Sequence, residues 1–350
     1  MRASGGSGRG RRGYASLVPA GLTLQLVAIL ALAVLFDYIN GFHDTANAIA
    51  TSVSTRALKP QWAIVMSAAA NFLGALTGTE VAKTVGSGLI SQGAESQTVV
   101  AAALVGAITW NLITWRLGIP SSSSHALIGG LLGAAGAAAG IGSWNAEGIV
   151  VKVLLPLVSS PLVGGIVALL LMVVIFNVFR RVRPKVMNDR FRRLQVLSAA
   201  FMAFSHGSND AQKTMGVMTL ALYSAGVLTE FKVPLYVIVM AATAMSLGTA
   251  AGGWRIIRTM GTRVVKLDPV HGFAAETTAA SVIVAASHFG MPVSTTHVIS
   301  GAIMGVGSSD RFNAVHWAVA RNIGVAWVLT IPAAALVAAA AFLALHPFLG

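Results

Sequence analysis

Two hydroxyl-rich stretches carry the clearest chemistry in this sequence, Gly118-Ile-Pro-Ser-Ser-Ser-Ser-His125 and Gly290-Met-Pro-Val-Ser-Thr-Thr-His297. Each closes an apolar segment with a Gly-x-Pro break and opens a new one spaced by glycines. Proline with Ser or Thr around it marks a helix N-terminus. Such a terminus has free N–H groups and a partial positive charge, so it suits an anion. The hydroxyls of Ser122, Ser123, Ser124, Ser294, Thr295 and Thr296 would add donors on several sides of a tetrahedral oxyanion. One copy alone reads better as an ordinary interhelical turn whose hydroxyls merely cap. The matched pair favours binding, because paired helix ends in corresponding halves of a membrane protein point to a transporter site.

The acids form a second set. There are eleven, and Asp37, Asp44, Glu80, Asp210 and Glu276 fall inside or beside apolar stretches, where an ionisable group is expensive. Asp44 and Asp210 occupy matched places in Asn40-Gly-Phe-His-Asp-Thr-Ala-Asn47 and His206-Gly-Ser-Asn-Asp-Ala-Gln-Lys213. With Asn47 and Asn209 they offer hard oxygen ligands for a cation such as Na⁺, or a proton-titratable site. Lys213 stands where the first copy has Asn47, so the halves differ by one positive charge that can replace a cation or bind phosphate. Glu276 has no mate and reads as a gate or coupling acid. His125 and His297 suit packing or a supporting role better than ligation.

These groups need elements to hold them. The polarity of residues 36–55 predicts a helix broken at Asn40-Gly41, which would expose carbonyls near Asp44 and Asn47, and residues 204–216 repeat the pattern. Spans are expected near 18–36, 62–80, 98–117, 150–179 and 314–346, the fourth kinked by Pro156 and Pro161, with hairpin helices after Pro120 and Pro292. The expected organisation is a disordered basic tail (1–17), a first membrane repeat (18–179), a basic cytoplasmic linker (180–195) and a second membrane repeat (196–350). The linker has seven basic residues within positions 180–193, the strongest marker of the cytoplasmic side.

Composition sets the class. Apolar residues make up 55%, charged residues 10%, and mean hydropathy is +0.76, where a soluble domain carries about 25% charged residues. The fold expected is an all-α polytopic membrane protein. The net charge of +13 is concentrated in a few polar segments beside spans, so nucleic acid is not an expected partner. No cysteine is present, which excludes disulfides and thiolate metal sites. No nucleophile elbow, Walker loop or zinc motif occurs, so an enzyme is not expected.

Five motifs in order give the chain its resemblance to the inorganic phosphate transporter (PiT) family. They are Asn40–Ala48, Gly118–His125, His206–Lys213, Gly272-Phe-Ala-Ala-Glu276 and Pro292–His297. The resemblance implies a symporter of two inverted-topology repeats, each with a broken helix and a re-entrant helical hairpin. It places phosphate at Ser122, Ser123, Ser124, Ser294, Thr295 and Thr296, and coupling at Asp44, Asn47, Asp210 and Glu276. Lys213 in place of a second Asn, and His43 before Asp44, depart from the sodium-coupled branch and resemble the bacterial low-affinity, proton-coupled branch. The implied cargo there is a neutral metal–phosphate complex, so Mg²⁺ or another divalent ion would enter with the substrate rather than as a cofactor. Asp44 and Asn47 would be metal ligands under sodium coupling. The partners expected are phosphate, protons or sodium, the plasma-membrane bilayer and a second copy in a homodimer. Sodium-coupled uptake, or another oxyanion such as sulfate, is the alternative.

Overall fold

The computed structural model describes residues 23–91 and 95–349. The tail expected over 1–17, and the start of the span expected near 18–36, lie outside them. The first half holds α1 (Leu24–Ser54), α2 (Pro60–Ala75), α3 (Glu80–Ser87), α4 (Gln97–Leu117), α5 (Ser123–Ala139), the short α6 (Ala146–Ile149) and α7 (Leu155–Val178). The second holds α8 (Pro184–Ser224), α9 (Leu235–Ala251), α10 (Trp254–Arg258), α11 (Pro269–His288), α12 (Thr295–Asp310) and α13 (Trp317–Leu349). No strand occurs among the described residues. The fold is an all-α polytopic membrane protein. Among the described residues, four helical stretches are long and apolar enough to cross a membrane: α1, α4, residues 146–178 and α13. The count reaches six if two bent pairs each make one span: α2 with α3, at 73°, and α9 with residues 254–263, at 62°.

The helix break expected at Asn40-Gly41 is absent. The chain stays helical through it, and α8 does the same through Gly207. Polarity there signals side chains facing other helices, not an unwound backbone. The glycines let those helices touch. A Cβ on Gly41 would sit 2.2 Å from the Met245 carbonyl oxygen, and one on Gly207 would sit 2.1 Å from that of Asn71. The two contacts are reciprocal, α1 on α9 and α8 on α2. Because no carbonyls are freed in α1 or α8, ligands from these helices must be side chains. The span expected over 62–80 also differs, since α2 ends at Ala75 and the chain turns before α3.

Helices α5 and α12, of 17 and 16 residues, are shorter than the ~20 residues needed to cross the hydrocarbon core. Each follows a left-handed glycine, Gly118 or Gly290, that stops the helix before it. Each then packs on that helix and on a long helix of the other half: α5 on α4 and α13, α12 on α11 and α7. The result is two three-helix bundles with exchanged arms, whose hairpin tips meet between α1 and α8.

Candidate functional site

Local capping fixes the hairpin tips. Ser122 Oγ accepts the His125 N–H at 3.1 Å and Ser294 Oγ accepts the His297 N–H at 3.3 Å. These two hydroxyls are therefore N-caps, each worth ~1 kcal/mol. The tips touch: Thr296 donates to the Ser121 carbonyl at 3.1 Å, and the His125 and His297 rings lie 4.6 Å apart. His297 also stacks on Trp327 at 3.9 Å, which supports packing as its role.

The remaining hydroxyls face α1 and α8 in a reciprocal pattern. Ser123 donates to Asp44 at 3.3 Å, and Thr295 donates to Asp210 at 3.0 Å. Asn47 donates to Thr296 at 2.9 Å, and Lys213 donates to Ser124. Lys213 further donates to Asp210 and, at 2.8 Å, to the Val293 carbonyl. All eight side chains are buried. A single knot thus joins Asp44, Asn47, Asp210, Lys213 and four of the six predicted hydroxyls.

Histidines complete the carboxylates. His43 Nδ1 lies 2.6 Å from Asp44 and its Nε2 3.1 Å from Thr114 Oγ1. His206 Nε2 lies 3.1 Å from Asp210, while its Nδ1 reaches Asn71 at 2.9 Å. Asp44, His206 and Asp210 each offer a ligand atom within 4.8 Å of the others, a group able to hold a cation. His206 opens the second polar motif, yet sequence reasoning assigns it no role. Its spacing of four from Asp210, one helical turn, is the signal that could have found it.

Two predicted residues stand apart. Asn209 turns to the hinge of the second hairpin, donating to Ser287 at 2.8 Å and to the Met291 carbonyl at 3.2 Å. Glu276 has its own pocket, accepting from Thr51 and Ser198 at 2.5 Å and from Gln195 at 3.1 Å. It is joined to the knot through the two helices that donate to it, α1 by Thr51, one turn beyond Asn47, and α8 by Gln195 and Ser198.

A cavity of about 590 Å³, lined by Glu80, Phe204, Ser208, Gln212, Ser287 and His288, reaches Ser287 of the Asn209–Ser287 hydrogen bond. Phe42 stands in the first half where Ser208 stands in the second. There Phe42 packs edge-on against Trp115 at 5.3 Å, and the Arg255 guanidinium lies 5.5 Å over the Trp115 ring. Arg255 also donates to the Arg116 carbonyl at 2.6 Å.

A buried knot of carboxylates, ammonium and hydroxyls between two helix tips of a polytopic membrane fold fits a multi-pass transporter. The chain belongs to the phosphate transporter family, whose model matches residues 40–338. It is 50% identical over 321 residues to a "Probable low-affinity inorganic phosphate transporter" of Rhizobium meliloti (strain 1021), covering 91% of this chain and 96% of that one. A protein of the same description from Bacillus subtilis (strain 168) is 45% identical, covering 93% and 98%. A solved structure described as "The sodium-dependent phosphate transporter" superposes with a TM-score of 0.86 at 25% identity, covering 93% of this chain and 100% of that one.

Proposed function

We propose that the chain imports inorganic phosphate across the plasma membrane by proton symport, with phosphate held between the α5 and α12 tips as part of a neutral metal–phosphate complex. In this reading the two halves are inverted repeats that alternate access, and the basic segment 180–195, which runs into the start of α8, lies in the cytoplasm. One observation carries the cation requirement. Among the described residues four carboxylates, Asp37, Asp44, Asp210 and Glu276, are buried in the protein with one ammonium, Lys213. An anion entering that environment needs accompanying positive charge, because buried like charges repel strongly. The hydroxyls and helix termini supply hydrogen bonds but little net charge. Protons on the carboxylates, or a divalent ion on the phosphate, supply the rest.

Lys213 favours the proton over sodium. Its ammonium already fills the space beside Asp210 and Thr295 that a second sodium ion would need. Sodium coupling is the second reading, favoured by the sodium dependence named for the structural neighbour and by the Asp44, His206 and Asp210 group.

The substrate assignment is tested by labelled phosphate uptake into proteoliposomes with competing anions. Arsenate, which shares phosphate's shape and charge, is expected to compete, and sulfate to do so weakly. Sulfate competing as well as unlabelled phosphate would move the assignment to a general oxyanion carrier.

A further inference from the structure

Besides Glu276, a second buried acid takes no part in the knot. Asp37 lies on α1, seven residues before Asp44 and therefore on nearly the same face. It is fully buried. Thr214, next to Lys213 on α8, donates to its Oδ1 at 2.8 Å. Among the described residues its Oδ2 has no hydrogen-bond partner, and neither has Oδ1 of Asn40, whose side chain lies one turn along and interacts with the Asp37 carboxylate. The residue matched to Asp37 in the second half is Ala203, also fully buried. Packing at this place therefore does not require a carboxylate.

The surroundings restrict what could bind. Asp37 is flanked by an apolar cluster that includes Ala33, Phe36, Met215 and Ala241. The ionisable groups around it are few. On α1 they are His43, Asp44 and the exposed Tyr38, on the facing part of α8 His206, Asp210, Lys213 and, further along, Tyr223, on α4 Arg116 at the far end, and on α5 His125. Helix α9 offers only the exposed Tyr236, and α2 offers none. Of these, Asp210 and Lys213 act on Asp37 electrostatically. A metal ion takes several oxygen ligands, and two acceptor atoms in an apolar pocket do not provide them. A proton needs one lone pair on Oδ2, and the O–H bond so formed can donate to Asn40 Oδ1. That one step satisfies both unpartnered atoms and removes an uncompensated buried charge.

We propose that Asp37 carries the symported proton, bound on Oδ2 and shared with Asn40. The assignment rests on the proton-symport reading above. The proton comes from water on the loading side and leaves to water on the other, with no change of oxidation state. Lys213 links the events: its ammonium is held by Asp210 and by Ser124 of the phosphate-binding tip, and Thr214 holds Asp37 one residue further along α8. Phosphate drawing the ammonium away from Asp210 leaves Asp37 facing negative charge that is less compensated, which favours its protonation.

The test uses the full chain in proteoliposomes. The variant Asp37→Asn is expected to exchange labelled for unlabelled phosphate while losing accumulation driven by a pH gradient and losing the pH dependence of uptake. The variant Asp37→Glu is expected to restore both. Thr214→Val removes the donor to the charged form, and the half-maximal pH of uptake should move alkaline by about one unit. This variant decides the matter if Asp37→Asn does not fold, since an unshifted profile would overturn the proposal. So would a folded Asp37→Asn protein that accumulates phosphate on a pH gradient like the parent chain, or one that loses exchange together with accumulation. A parent chain that ignores the pH gradient would instead overturn the proton reading, and this assignment with it.

Discussion

Lys213→Asn is expected to cut phosphate uptake at least a hundredfold. The ammonium makes contacts with Asp210, Ser124 and the Val293 carbonyl, and it is 2% exposed. Removing one partner of a buried ion pair costs ~3–5 kcal/mol, because the other charge is left uncompensated. At ~1.4 kcal/mol per tenfold change, that is two to three and a half orders of magnitude in any step that needs the site formed. Asparagine also recreates in the second half the residue that Asn47 supplies in the first. Sodium should then partly restore uptake in the variant, since a small cation can occupy the vacated place beside Asp210. Uptake by Lys213→Asn at the parent rate, without sodium, would show that the ammonium is incidental to transport.

The paired change Ser123→Ala with Thr295→Ala is expected to weaken apparent phosphate affinity by at least tenfold, with expression maintained. These hydroxyls donate to Asp44 and Asp210 in the structure, so they are aimed at the space between the helix tips. Each hydrogen bond to a charged group is worth ~1.5–3 kcal/mol. The neighbouring pair Ser122→Ala with Ser294→Ala should behave differently. Those side chains cap α5 and α12, so their loss should lower thermal stability by ~1 kcal/mol per site and change affinity less. Uptake titrations and thermal unfolding on both pairs separate the roles. Equal affinity losses in the two pairs would mean that the tips act only as capped helix ends.

The hairpin tips were legible because their signals are local. A Gly-x-Pro break and a capping hydroxyl three residues before the N–H it accepts lie within one short window, and the structure has Ser122 and Ser294 in those places. The matched Asp44 and Asp210 were legible through duplication. The continuity of α1 was not, because what fills the notch at Gly41 is Met245, more than two hundred residues away in sequence. A glycine in a polar helical stretch can mark a break or a contact, and only the partner decides. The exchange of α7 and α13 between bundles is likewise a long-range choice, since both read simply as apolar spans. Glu276 was found by its charge alone, and its donors Thr51, Gln195 and Ser198 come from two other helices. Asn209 shows the opposite error. Its place beside Asp210 in sequence suggested a shared ligand role, but adjacent helical residues point about 100° apart, and its amide faces Ser287 instead.

Proton coupling is the central claim, and imposed gradients on the unmodified protein test it most directly. Proteoliposomes are loaded so that a pH gradient and a sodium gradient can be applied separately, with labelled phosphate outside and Mg²⁺ present or absent. Uptake should rise on the pH gradient alone, persist with choline in place of sodium, and increase with Mg²⁺. Uptake that follows the sodium gradient and ignores the pH gradient would contradict the account.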